Sequence, residues 1–358
     1  MWRRFFNQEI AFGRVSLTDK AVLAKHLAVM LNAGLTLSES LAVSIDSSTG
    51  QLKRVLRHVA QAVESGSAFS AALGFYPKVF TGVFVSAVYA GERSGNLSTN
   101  LATLSKELEK ERELVAKVKG AMIYPAIVLI ATLALGLAIA FFILPKITPL
   151  FRGLRVELPW TTRGLIAFAD FIDRSGEIFF ISLLTGSILL RSLLKQRFFA
   201  PVTHWTILHL PGFGRISRHL NLNRLAATIG LLLKSGVNVD ETLAIAEKTI
   251  SNFYYARAVR RIASDVGRGL KLSESFEQFP KLFPPLFTRM ARVGEVSGRF
   301  EETFFYLSEF YEDEVDAATK SLSTALEPIL LLIIGLVVAG LALSIITPIY
   351  EITGNLRR

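Results

Sequence analysis

The 358-residue chain contains no cysteine at all. That excludes disulfides, thiol catalysis and thiolate-bound metal or iron–sulfur sites. Histidine is scarce too: five residues, at 26, 58, 204, 209 and 219, with no His-Glu-x-x-His pair among them. His204 and His209 stand five apart, an awkward spacing for one helix face, and are read as part of a membrane-proximal surface. No Gly-x-x-x-x-Gly-Lys-Ser/Thr occurs, and "GERSGN" lacks the lysine that would reach a phosphate. The N-terminus "MWRRFFNQEIAFGRV" is basic and lacks an apolar core of signal-peptide length, so no cleavage or export is expected there. Carboxylates are plentiful but run together, as in "ELEKERE" and "YEDEVD", and such runs read as solvated helix faces.

Apolar residues are abundant. They make up 51% of the chain, and the mean hydropathy is +0.42, which points to membrane segments. Forty Lys and Arg against thirty Asp and Glu leave a net charge of +10. A membrane face carrying anionic lipid suits that excess, and nucleic acid is the alternative not favoured here.

Two runs are free of charge and long enough to cross a bilayer. One is "IYPAIVLIATLALGLAIAFFIL", from Ile123 to Leu144. The other is "PILLLIIGLVVAGLALSIITPIY", from Pro328 to Tyr350. A third uncharged run, Ile178–Leu190, is too short by itself. Glu177, Arg191 and Lys195 flank it and snorkel, extending it to about Ser175–Leu194. Gly136, Gly335 and Gly340, with alanines near them, suit close helix packing in the membrane.

The chain repeats itself. "AGERSGNL" at Ala90–Leu97 and "VGEVSGRF" at Val293–Phe300 share Gly-Glu-x-Ser-Gly at an offset of 203. At the same offset "FYPKVF" (Phe75–Phe80) meets "QFPKLF" (Gln278–Phe283), and Tyr124-Pro125 meets Glu327-Pro328. At 202, "LNAGLTLSESLAV" (Leu31–Val43) meets "LKSGVNVDETLAI" (Leu233–Ile245). The unit is a helical domain of about 105 residues followed by a span, used twice. Equivalent copies belong on one side of the membrane, so the middle segment must return the chain between them.

The expected organisation follows: a short lead at 1–15, a cytoplasmic helical domain at 16–121 and a first span at 122–145. An extracytoplasmic loop at 146–174, a second span at 175–195 and a cytoplasmic linker at 196–218 come next. A second cytoplasmic domain at 219–325, a third span at 326–348 and an extracytoplasmic tail at 349–358 complete it. The fold class is all-α: a polytopic membrane protein with two repeated cytoplasmic bundles of about six helices and three transmembrane helices.

Local signals place the motifs. Thr36-x-x-Glu39 is a capping box, and Asn238-x-x-Glu241 has the same form. Gly34 and Gly236 stand where a preceding helix should end in a left-handed turn. A long charged helix is expected from Leu97 to Lys119, running nearly to the membrane with no turn signal before Gly120, so that the bundle feeds directly into the span. Pro125 and Pro328 are read as standing about one turn into their spans, where a missing N–H is tolerated.

The paired corners are the candidate site: Gly91, Glu92, Ser94 and Gly95 in the first copy, and Gly294, Glu295, Ser297 and Gly298 in the second. In the structural reading Gly91 and Gly294 permit close helix contact, and Gly95 and Gly298 supply positive φ. Ser94 and Ser297 then cap the next helix, and the glutamates accept N–H groups across the turn. In the functional reading the corners face a basic partner or a cation. Tyr124, Pro125, Glu327 and Pro328 form a span-start motif. No residue is assigned to catalysis or to a cofactor.

These residues together, with "AMIYPAIV" and "LPWTTRGL" at Leu158–Leu165, resemble the PilC/GspF family over residues 16–358. These are platform proteins of type IV pilus and type II secretion machines. The resemblance implies two six-helix cytoplasmic bundles, three transmembrane helices in the inner membrane and a homo-oligomer. It also implies a non-enzymatic role, coupling a cytoplasmic hexameric ATPase to assembly of pilin or pseudopilin from the membrane. The implied partners are that ATPase, prepilin transmembrane helices, other inner-membrane assembly proteins and the lipid bilayer. Many members carry a further segment of several dozen residues before the first bundle, where only "MWRRFFNQEIAFGRV" stands here. Some hold a divalent cation in the first domain. Glu109 lies near such a ligand's place, and no full ligand set matches. A transporter or channel component is the alternative class; it would want polar residues in the spans, and the first and third runs have no charge.

Overall fold

The computed structural model describes residues 15–139, scattered positions between 142 and 199, and residues 200–355. Every element among them is helical. Most of the expected lead at 1–15, of the loop expected at 146–174 and of the middle span expected at 175–195 lies outside the described residues.

Among the described residues, the first half holds six helices: α1 (Leu17–Asn32), α2 (Leu37–Ser47), α3 (Gly50–Glu64), α4 (Phe69–Gly74), α5 (Gly82–Ser94) and α6 (Leu97–Ala138). The second half begins with α7 (Ala200–His209), inside the stretch expected to be a linker. Then come α8 (Phe213–Lys234), α9 (Val239–Thr249), α10 (Phe253–Val266), α11 (Leu272–Glu277), α12 (Pro285–Ser297) and α13 (Phe300–Asn355).

Short-range chemistry sets several boundaries. Thr36 caps α2 by accepting the backbone N–H of Glu39, and the Glu39 carboxylate accepts the Thr36 N–H at 2.8 Å. At the matching position Asn238 stands at the N-cap of α9 without a side-chain hydrogen bond, so the box form of Asn238-x-x-Glu241 is not realised. Gly34 (φ 91°) and Gly236 (φ 89°) end α1 and α8 in the left-handed region that an L side chain enters only under strain.

The described residues divide into two compact units, 1–117 with 204–317 and 118–203 with 318–358. The first unit holds two apolar cores. One is built on Leu27, Leu41, Leu56, Phe69, Phe80 and Phe84. The other is aromatic, with Phe276, Phe283, Phe287, Phe304 and Tyr311 at edge-to-face or tilted ring contacts. Tyr255 lies in this core and donates its hydroxyl to the Leu282 carbonyl at 3.0 Å, so its one polar atom is satisfied. The first core takes in Leu231 of α8 and packs against Phe305 of α13, so the second half of the chain completes the core of the first.

The second unit contains the apolar ends of α6 and α13. These two helices are long and apolar enough to cross a membrane. Ile123, Ile127, Ile130 and Leu133 on α6, and Leu331, Leu332 and Leu336 on α13, are exposed.

α6 runs unbroken through the charged segment and past Gly120 into the apolar one, and one expectation about α6 and α13 is corrected. Glycine costs a helix about 1 kcal/mol, too little to end one carried by its neighbours. Pro125 and Pro328 are not near a helix start. Pro125 stands far along α6 from Leu97, and Pro328 far along α13 from Phe300, both in the helix interior. Proline there leaves the carbonyl four residues back without its N–H. For Pro125 that carbonyl is Ala121, and the Ser323 hydroxyl of α13 lies 3.5 Å from it while also donating to Thr319 at 3.0 Å.

Pro125→Ala is therefore expected to keep membrane insertion and restore the Ala121 bond. Interior proline costs a helix about 3 kcal/mol. Pro125 is buried, and losing its two outer ring carbons offsets about 1.6 kcal/mol of that. The net expectation is a gain of about 1 kcal/mol for α6. A thermal melt of the detergent-solubilised chain, with amide exchange over residues 121–129, checks this; a lower melt would contradict it.

Candidate functional site

Both corners are built from α5 or α12 turning into the long helix that follows. Gly95 and Gly298 close those helices at φ 72°, as positive-φ glycines. Gly91 is buried against the start of α6: a Cβ there would lie 2.9 Å from the Leu97 Cα and 3.2 Å from Asn100. Asn100 in turn donates to the Ala87 carbonyl at 3.2 Å. Gly294 is buried in the same way against Thr303 and Phe300 of α13.

The glutamates do not reach across their own turns. Glu92 turns back along the chain and accepts from the Phe69 N–H at 2.6 Å with Oε1 and from the Ser70 N–H at 2.9 Å with Oε2. Those are the first amides of α4, whose N-cap residue is Ala68 and supplies no side-chain acceptor. Glu295 does the same for α11, accepting from the N–H of Leu272 at 2.7 Å and of Ser273 at 3.4 Å. The Ser273 hydroxyl adds a bond of 2.5 Å. The N-cap of α11 is Lys271, again without a cap of its own. Each carboxylate thus caps a helix that its neighbouring sequence leaves uncapped, where the helix dipole also favours negative charge.

The serines depart from expectation. Ser94 donates to the Ala90 carbonyl at 2.8 Å, closing on its own helix rather than capping α6. Ser297 donates to Val293 at 2.7 Å and also receives the Arg299 N–H at 3.3 Å. Each corner is assembled within its own copy. Tyr124 and Pro125 on α6, and Glu327 and Pro328 on α13, lie well along those helices from the corners. Three of the four are exposed, and Pro125 is buried.

A set of residues that the sequence reading passed over joins the copies. Lys110 meets Glu309 at 2.9 Å and Lys117 meets Asp316 at 2.7 Å. Arg224 of α8 meets Glu111 of α6 at 2.7 Å. The charged runs are therefore not solvated on every face. Glu107 in this zone is held above the ordinary carboxylate range by burial, against the pull of Lys110 and Lys106. The available signal was the step of seven: lysines at 110 and 117, acids at 309 and 316, two matched turns on two helices. Glu109, the residue nearest a family cation ligand, pairs with Lys25 at 3.1 Å, and no group of three metal-ligating side chains occurs among the described residues. His204 is tied to the backbone, accepting from the Phe253 N–H at 3.0 Å.

Comparison with known proteins places these corners in a wider set. The family described as type II secretion system (T2SS), protein F, matches residues 23–145 and again 225–348. A type IV pilus assembly protein PilC from Thermus thermophilus is 34% identical over 345 residues, covering 95% of this chain and 84% of that one. PilC from Myxococcus xanthus is 30% identical, covering 97% and 83%. A type II secretion system protein F from Pseudomonas aeruginosa is 29% identical, covering 96% and 85%.

Proposed function

Because the chain belongs to the PilC/GspF family, we propose that it is a non-enzymatic inner-membrane platform of a type IV pilus or type II secretion machine. In this role it couples a cytoplasmic hexameric assembly ATPase to the addition of pilin or pseudopilin subunits from the membrane. The observation that carries the reading is the double family match, once on each half, at the offset by which the corner motif recurs. Support comes from α6 and α13, which combine a charged, ion-paired segment with an exposed apolar one. The two bundles then form one cytoplasmic body, the middle segment at 175–195 is the returning span, and the motor supplies the energy.

Two measurements test this. Tagged chain taken from native membranes should co-purify the assembly ATPase and prepilin, and its deletion should abolish pilus or secretion output. Output that persists without the chain would refute the platform role. For topology, a reporter fused after Arg155 should read outside and one fused after Lys271 inside. Both on one side would refute three spans.

A further inference from the structure

The two copies meet through a contact that is not symmetric. Val83 and Ala90 of α5 in the first copy pack against Leu232, Val237 and Ile245 in the second, on α8, α9 and the turn between them. A Cβ at Gly82 would sit 3.6 Å from Ile245 Cγ2, in ordinary contact. One copy offers its fifth helix and the other receives it on its first and second. The repeat therefore leaves one unused half of the same interface at each end: α1–α2 of the first copy as a receiver, and α12 of the second as an insert.

The residues at those ends are apolar and uncovered. On the occupied receiver, Val237 and Ile245 are 7% and 9% exposed, and Leu231, beside them on α8 and packed in the first core, is 2% exposed. Their equivalents at the offset of 202 are Val29, Leu35 and Val43, which are 62%, 37% and 50% exposed. On the insert side, the equivalent of Ala90 is Val293, 51% exposed. Solvent alone gives no reason for valine and leucine to recur where the other copy buries the same types.

We propose that these two ends bind each other between chains: α12 of one molecule inserts against α1–α2 of a second copy of this chain, repeating the contact made within each molecule. The contact joins two different faces, so it closes either as two chains that each insert into the other about a two-fold axis or as a larger head-to-tail ring. This rests on the homo-oligomeric part of the platform reading. It is measured by crosslinking in membranes, with no pilus or secretion assay, so its failure is separate from failure of that reading.

The absence of cysteine makes the test clean. Full-length chain bearing Gly82→Cys and Ile245→Cys is the reference and should form an intrachain disulfide on mild oxidation in native membranes. Pro285 and Val43 are the equivalents of that pair. Two differently tagged chains, one Val43→Cys and the other Pro285→Cys, should then give an interchain product carrying both tags. It should exceed the product of either variant alone by about tenfold. A second pair, Leu35→Cys with Val293→Cys, probes the same face without touching the proline that begins α12. Val29→Asp with Val43→Asp should cut the mixed product of that second pair several-fold while the reference disulfide still closes. If the reference closes and neither mixed pair links, the proposal falls. It falls equally if one variant links with itself as well as with its counterpart, which would mean that a face meets its own copy and not the other face.

Discussion

Gly91→Ala is expected to lower the stability of the first bundle by about 2–3 kcal/mol, the usual cost of forcing a methyl group into a filled core. The position is buried, and the added Cβ would meet backbone, the Leu97 Cα at 2.9 Å, together with Asn100. Backbone cannot rotate away. To make room α6 must shift against α5, and Asn100 must give up its bond to the Ala87 carbonyl. Gly294→Ala should cost less, about 1–2 kcal/mol. Its nearest obstacle is the Thr303 hydroxyl, a side-chain atom that can turn, at the expense of its bonds to the Arg299 and Phe300 carbonyls. Thr303→Ala should therefore recover much of the loss from Gly294→Ala, and the pair will deviate from additivity in the stabilising direction. Denaturant melts of the full chain in detergent, followed by circular dichroism, read all four variants. Equal losses for Gly91→Ala and Gly294→Ala, or no recovery with Thr303→Ala, would show that the corner tolerates movement.

What could be read in advance divides by sequence distance. Gly34, Gly236, Gly95 and Gly298 were legible because a left-handed residue at a helix end is decided by a few neighbours. The Thr36 capping box was legible for the same reason. Asn238 was not, since a suitable residue type does not guarantee that its side chain turns inward. The family was legible because two copies of one motif doubled each weak signal. The target of Glu92 was hidden by the chain that intervenes between α4 and the corner. A sign of it nevertheless stood at Ala68 and Lys271, helix starts with no acceptor of their own. The prolines misled because a short-range rule places proline at helix starts, whereas two long helices held on both sides absorb it in their interiors. The asymmetric contact between copies could not be read at all: a repeat fixes which residues correspond, not which faces meet.

Glu92→Gln is expected to cost the first bundle about 2 kcal/mol, in the range for hydrogen bonds to a charged group. Both carboxylate oxygens are committed to backbone N–H groups of α4. An amide offers one oxygen, so its NH2 would face an N–H donor and leave it unsatisfied at a helix terminus. Glu295→Gln should cost less, nearer to about 1 kcal/mol, because one of its partners is the Ser273 hydroxyl, which can rotate to accept from the new NH2. The inequality is the informative part, since it follows only if the acids act as caps. A partner reading of the same acids predicts a different pattern. Removing charge from a docking surface would weaken ATPase co-purification while the melts stay where they were. The double variant would then lose more than either single, because both copies share one partner body. The capping geometry leads to the other result: melts fall for Glu92→Gln more than for Glu295→Gln, and pilus or secretion output falls in step with the folded fraction. Unchanged melts with weakened docking would move both glutamates from the inside of their bundles to the surface of a motor.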